Sequence, residues 1–295
     1  MARTVGDHVL ALPSGRTVGY TIYGDSDGMT VLNCHGGLAS GHDAEPADRD
    51  ARDLRLCIVS PDRPGVGRTD RLPGHGMIPW VQADLVPLLE HLHVDRLAVM
   101  GWSEGGQYAL AVAFELDRRV TRCAVVAGCV PLDELANLRE LNRLDRTLTR
   151  LSEKAPVLAR GYFRLTGILS KRAPQLVVRN AVRGLPKMEA DAVIAQGRWL
   201  PIIVAEGARQ PHGGVDEYRA MSAPWGFTPE EVAVPVRIFH GSADLLVPVA
   251  WGNELAGRIP GATVTLYPDE GHFIALTRRR EILEFLAGGT RRSTD

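Results

Sequence analysis

The segment Gly101-Trp102-Ser103-Glu104-Gly105 constrains this chain more than any other feature. It follows the apolar run Leu97–Gly101 and precedes a helical pattern over Glu104–Leu116. A G-x-S-x-G set between a strand and a helix marks a sharp turn that holds the serine in strained backbone geometry. Glycines two before and two after it let neighbouring chain approach without a clash. The Ser103 hydroxyl then projects above the carboxyl edge of a sheet, beside a helix N-terminus whose free N–H groups stabilise negative charge. An N-cap role is the plain alternative for such a serine, and the residues downstream argue against it.

Around this turn, short β-branched runs alternate with helical patterns, which predicts an α/β fold with a mostly parallel sheet flanked by helices. The 295 residues suffice for one large domain, or one domain plus an insertion. Pro13-Ser14-Gly15 marks the turn of an N-terminal hairpin. Strands are then expected at Thr30–Cys34, Leu56–Ser60, Leu97–Gly101, Arg122–Ala127, Val236–Phe239 and Thr263–Tyr267. Helices are expected at Ile78–Leu92, Glu104–Leu116, Val249–Arg258 and Ile274–Leu286, where apolar residues recur at three and four. From Pro131 to Pro224 the alternation breaks. Leu135, Leu138, Leu141, Leu144, Leu148 and Leu151 form a helical stripe, and Pro156, Pro174, Pro186 and Pro201 punctuate the residues beyond it. This stretch reads as an inserted helical cap, residues 131–224, on a core made of 1–130 and 225–295.

An alcohol is a poor nucleophile at neutral pH and needs a base, for which histidine is suited by its pKa near about 6.5. His272, in Pro-Asp-Glu-Gly-His-Phe after the last strand, falls at the same carboxyl edge as Ser103, where open α/β sheets place their ligands. His240 ends a strand and is its chief rival, better suited to supporting the neighbouring loop. His91 and His93 face differently on a helix and make a poor metal pair. The third member is a carboxylate that fixes the imidazole tautomer. Asp244, in His-Gly-Ser-Ala-Asp, leaves the preceding strand at that edge. Asp133 is a fallback, and Asp269 is too near His272 in sequence. For the developing oxyanion, the Glu104 N–H supplies one donor and the loop His35-Gly36-Gly37-Leu38 the other, Gly37 first and Leu38 second. His35 reads as a loop brace.

Composition excludes several classes. The net charge is −1 and the arginines are dispersed among acidic residues, so nucleic acid is not expected as a partner. No apolar run reaches the roughly 18–20 residues of a membrane span, and Met1–Leu10 lacks the apolar core of a secretory signal. A cytoplasmic protein without membrane insertion is expected. Cys34, Cys57, Cys123 and Cys129 lie in or beside apolar runs without C-x-x-C spacing and read as reduced core residues. No metal site is expected.

With the order Ser103, Asp244, His272, the chain resembles the α/β-hydrolase superfamily over nearly its whole length. His35-Gly36-Gly37, the stretch Pro61-Asp62-Arg63-Pro64-Gly65-Val66-Gly67-Arg68-Thr69, the Ser103 turn and the Asp244 and His272 loops carry the resemblance. It implies an eight-stranded sheet with the second strand antiparallel, a cap between strands six and seven, and no cofactor. Pro224-Trp225-Gly226-Phe227 would mark the return to the core, and Asp62 and Arg63 would brace the site. Serine rather than aspartate as nucleophile argues against epoxide hydrolase and haloalkane dehalogenase chemistry. Glu104 reads first as a carboxylate complementing the helix dipole. An acidic residue similarly placed in valacyclovir-hydrolase-like relatives helps bind an amino group, which raises a cationic substrate as the second reading. Trp102 reads as a packed wall.

The expected function is a serine hydrolase cleaving an ester, lactone or thioester of a small, partly hydrophobic substrate through an acyl-enzyme. A cofactor-free lyase, a perhydrolase, a C–C bond hydrolase or a non-catalytic small-molecule receptor on the same fold is the alternative. The sequence leaves the oligomeric state open.

Overall fold

Strands β1 (Gly6–Ala11) and β2 (Thr17–Gly24) form the expected hairpin, with Leu10 opposite Val18 across an antiparallel ladder. Six more strands complete the set: β3 (Met29–Cys34), β4 (Leu56–Pro61), β5 (Leu97–Trp102), β6 (Val120–Val126), β7 (Val236–Gly241) and β8 (Thr263–Tyr267). They form one eight-stranded sheet in the order β1-β2-β4-β3-β5-β6-β7-β8, parallel from β4 to β8, with β2 antiparallel to both neighbours. The computed structural model describes residues 3–288. The extreme ends of the two core segments expected from sequence, residues 1–2 and 289–295, lie outside the described residues.

Helices α1 (Asp48–Asp53), α2 (Met77–Trp80), α3 (Val86–His91) and α4 (Gly105–Glu115) connect the strands up to β6. Between β6 and β7 come α5 (Leu135–Glu140), α6 (Arg143–Lys154), α7 (Pro156–Arg172), α8 (Pro174–Ala181), α9 (Lys187–Ala195), α10 (Trp199–Gly207) and α11 (Pro211–Ser222). The chain closes with α12 (Val249–Arg258), α13 (Ile274–Thr277) and α14 (Arg279–Leu286).

The sheet is buried on both faces, so its strands read as apolar runs rather than as alternating ones. Successive side chains still point to opposite sides. Leu32, Val59, Val99, Val125 and Ile238 pack with Leu88, Leu110 and Leu255 on one face. Their neighbours Val31, Ile58, Ala98, Ala124 and Phe239 pack with Ala51, Ile274 and Leu283 on the other. The four cysteines are buried and unpaired.

Three expectations shift in detail. The single helix expected over Ile78–Leu92 is α2, a π-helical turn at Val81–Leu85, and α3. Pro87 lacks an N–H and its ring crowds the carbonyl of Ala83, so the widened turn takes up the strain. The helix expected over Ile274–Leu286 breaks at Arg278, whose φ of −112° leaves the helical range. A 3₁₀ segment at Gly41–Ala47, capped by Ser40, runs into α1, where no helix was expected.

The parallel strands β3 to β8 all end at one edge. The loops that leave it carry His35-Gly36-Gly37, Asp62-Arg63, Ser103, Asp244 and His272.

Candidate active site

Ser103 has φ +56°, in the left-handed region that non-glycine residues seldom adopt. Such a conformation costs on the order of 1–3 kcal/mol and must be imposed by its surroundings. The Ser103 N–H donates to the Val126 carbonyl at 2.8 Å, which continues the β5–β6 pairing one residue past the strand. The flanking glycines are sterically required. A Cβ on Gly101 would stand 2.0 Å from the Gly105 oxygen, and one on Gly105 would stand 2.0 Å from the Cys34 oxygen. The sequence pattern thus folds β5, Ser103 and α4 into a tight elbow against β3.

Asp244 and His272 come from the loops after β7 and β8, which are laced together by Ser242 N–H to Tyr267 O at 2.9 Å and Ala243 N–H to Glu270 O at 2.7 Å. His272 Nδ1 lies 2.9 Å from Asp244 Oδ2, and the Asp244 side chain is fully buried. A carboxylate is an acceptor, so Nδ1 carries the hydrogen and Nε2 of the neutral ring is left free to take a proton. The other Asp244 oxygen, Oδ1, accepts from the Leu246 and Val247 amides at 2.8 and 3.0 Å. Burial alone would raise the Asp244 carboxyl. His272, a hydrogen bond from His240 and the Val247 amide outweigh it and hold the group well below the usual carboxylate range. His240 is buried with Nε2 3.4 Å from Asp244 Oδ2, so it stands behind the acid. Asp133 is exposed.

Ser103 and His272 line one cavity of about 220 Å³, together with Gly37, Leu38 and Glu104. Its roof is formed by Leu141, Asn142, Leu144, Asp145, Leu200, Ile203 and Met221 from the helical layer between β6 and β7. Among the described residues, the amides of Gly37 and Glu104 have no hydrogen-bond acceptor. Two free N–H groups on the wall beside a serine are what a developing oxyanion needs. A wider groove of about 710 Å³ between α7 and the start of α11, lined by Arg160, Arg164, Lys171 and His212, holds none of these groups.

Arg63 braces the glycine loop. Its guanidinium donates to the carbonyls of His35 and Gly36, the latter at 3.0 Å, and its Nε to Glu217 Oε1 at 2.7 Å. The His35 ring accepts from the Arg63 N–H at Nε2 and faces the Gly36 carbonyl with Nδ1, so it is the neutral Nδ1–H tautomer. Burial, then the Arg63 charge, lowers its pKa well below the ordinary value. Asp62 accepts from the Gly41 and Arg68 amides at 2.9 and 3.2 Å. Trp102 packs beside the His272 ring and donates from Nε1 to the His272 carbonyl at 2.9 Å.

Glu104 fits poorly with the reading of a charged carboxylate complementing the helix dipole. It is buried, 4.0 Å from Arg63 Nη2, and burial followed by the Glu217 charge pushes its pKa up to about 8. A carboxyl that is mostly protonated at neutral pH adds little to a helix dipole. Its Oε1 has no hydrogen-bond partner among the described residues.

Several groups at the site escaped the sequence reading. Asp43 accepts from the Gly36 amide at 2.9 Å, Tyr218 donates to Asp145 at 2.7 Å, and Glu217 pairs with Arg63. Asp43 sits in the unforeseen 3₁₀ segment. The others belong to helices whose docking on the core has no local signature.

No helix among the described residues is long and apolar enough to cross a membrane. A family model described as alpha/beta hydrolase fold matches residues 30–278. The magnesium-chelatase 30 kDa subunit of Rhodobacter capsulatus is 29% identical over 260 residues, 85% of this chain and 83% of that protein. A pimeloyl-acyl-carrier-protein methyl ester esterase of Nitrosomonas europaea is 27% identical over 215 residues, 68% of this chain and 75% of its own. The solved enol-lactonase of Burkholderia xenovorans LB400 superposes with a TM-score of 0.72 at 15% identity, covering 96% of this chain and 99% of its own, a likeness of fold. The family match runs from β3 to just past His272 and takes in every loop of the sheet edge described above, so this chain belongs to the alpha/beta hydrolase fold family.

Proposed function

We propose that this hydrolase cleaves a carboxylic ester or related acyl bond through an acyl-enzyme on Ser103, with His272 as base and Asp244 as its orienting acid. The observation that carries the reading is the hydrogen bond from His272 to the buried Asp244 side chain, with His272 lining the same cavity as Ser103. In this mechanism His272 Nε2 removes the Ser103 proton as Oγ attacks the carbonyl carbon. The Gly37 and Glu104 amides receive the oxyanion, each worth roughly 3–4 kcal/mol in the transition state. His272 then delivers the proton to the leaving alcohol, and water repeats the sequence to release the acid.

Residues 131–224 act as a cap over the core in this reading. A cavity of about 220 Å³ with Leu, Ile, Met and Phe on its walls suits a small, partly hydrophobic acyl or alcohol group. Its lining includes Glu104 and Asp145 but no Lys or Arg, and the Glu104 Oε1 is unpaired. A substrate with a hydrogen-bond donor at that end, an amino group included, would satisfy it. An ester esterase among the relatives is consistent with the proposed bond type.

The test is turnover of short nitrophenyl esters by wild type and Ser103→Ala, followed by a matched pair of neutral and amino-bearing esters. Turnover lost in Ser103→Ala supports the reading. A folded wild type that hydrolyses no ester, lactone or thioester shifts it to the lyase or receptor alternatives.

A further inference from the structure

Glu189 lies on α9, within the cap, yet its carboxyl reaches the loop that carries the histidine. It is fully buried, and its Oε1 accepts a hydrogen bond from the Gly271 amide at 2.7 Å across 82 residues of sequence. Gly271 immediately precedes His272. The missing side chain there is what admits the carboxyl, because a Cβ on Gly271 would stand 2.8 Å from Glu189 Oε2. That second oxygen has no hydrogen-bond partner among the described residues. A buried acid with half its acceptor capacity unused is costly to the fold. Stability alone therefore gives no account of a glutamate at this place. Burial raises its pKa and the Asp244 charge adds to that, opposed by the amides of Gly271 and Phe273 and by His272.

On the other flank, the Trp102 indole holds the His272 carbonyl at 2.9 Å. The backbone of the candidate base is thus gripped before it by a cap residue and after its ring by a core residue.

We infer that Glu189 is a positioning residue for His272, clamping the Gly271–His272 backbone so that the imidazole keeps its seat on Asp244 when the cap is docked. The inference rests on the proposed role of His272. Small displacements of a base are expensive, since about 1 Å of misplacement can lower a rate by about 100-fold. Glu189 acts through that geometry and does not touch the reacting atoms.

Three variants test the clamp: Glu189→Ala removes the acceptor, Glu189→Gln keeps an acceptor oxygen without the carboxyl, and Gly271→Ala displaces the carboxyl while leaving it in the chain. Ester turnover is measured for kcat and KM, and amide exchange at Gly271 is followed by NMR on the whole protein. Glu189→Ala is expected to lower kcat about 10- to 100-fold with KM within about threefold, and to expose the Gly271 amide. Glu189→Gln should recover most of kcat and keep the amide protected. Gly271→Ala should repeat the kcat loss, and it decides the matter if Glu189→Ala does not fold. Wild-type kcat in both Glu189→Ala and Gly271→Ala overturns the inference, as does an unchanged Gly271 exchange rate in Glu189→Ala. If wild type turns over no ester, the proposed function fails first and the exchange result alone decides whether the clamp exists.

Discussion

His272 Nδ1 lies 2.9 Å from Asp244 Oδ2, and that same oxygen faces His240 Nε2 at 3.4 Å. The carboxylate is further pinned by two amides on Oδ1, so it has little freedom to follow a moving imidazole. In the proposed mechanism its service to His272 is orientational: it fixes which ring nitrogen carries the hydrogen. Asp244→Asn keeps the shape but offers an amide N–H or a neutral oxygen in place of the charge. The expected result is a fall of about 10³- to 10⁴-fold in kcat with a nearly normal fold. Steady-state kinetics on a nitrophenyl ester, with circular dichroism as the control, check it. A loss under about tenfold would remove Asp244 from the mechanism.

The Glu104 carboxyl makes an opposite contribution to stability with pH. Its pKa stands near 8 when folded, against 4.5 as its ordinary value, through burial, the Glu217 and Asp145 charges and the opposing pull of Arg63. A group raised in this way contributes its full stability while protonated in both states, below about 4.5, and loses it as pH rises through about 8. Glu104→Gln removes that loss. The urea midpoint of the variant should therefore gain on wild type steadily between about pH 5 and pH 8. A difference between the two that is constant across this range contradicts the assignment.

Arg63 and Glu217 form a buried pair 2.7 Å apart that also holds the His35 and Gly36 carbonyls. Removing one partner strands a charge away from water. Arg63→Met is expected to destabilise the fold by about 3–5 kcal/mol in denaturant titrations, while Arg63→Met with Glu217→Leu recovers much of that loss. Activity should stay low in the double variant, because the glycine loop has lost its brace. Recovery of activity along with stability would show that Arg63 serves the fold alone.

The sheet was legible because its strands are buried on both faces and so read as apolar runs bounded by turns. β8 falls at the residues expected, Thr263–Tyr267, and α12 at Val249–Arg258. The polar stretch from Gly41 to Asp53 shows no apolar stripe, and its helical turns are held instead by contacts such as Asn33 to Asp43 at 2.6 Å. Helix breaks at the π turn before Pro87 and at Arg278 were hidden by periodicity that continues across them. Ser103, Asp244 and His272 lie at one edge as expected, since each follows a strand that ends there. Glu189 and Glu217 could not be picked out from the sequence, because their partners Gly271 and Arg63 lie 82 and 154 residues away and depend on how the helices between β6 and β7 dock. For Glu104 the sequence shows its place at a helix start and not its burial.

The most direct measurement is the intact mass of the protein after exposure to a fluorophosphonate, followed by peptide mapping, for wild type, Ser103→Ala and His272→Ala. One adduct per chain, mapped to Ser103, absent in Ser103→Ala and slowed at least about 100-fold in His272→Ala, is the predicted result. An adduct on another residue, or a folded wild type that takes up none, would contradict the account.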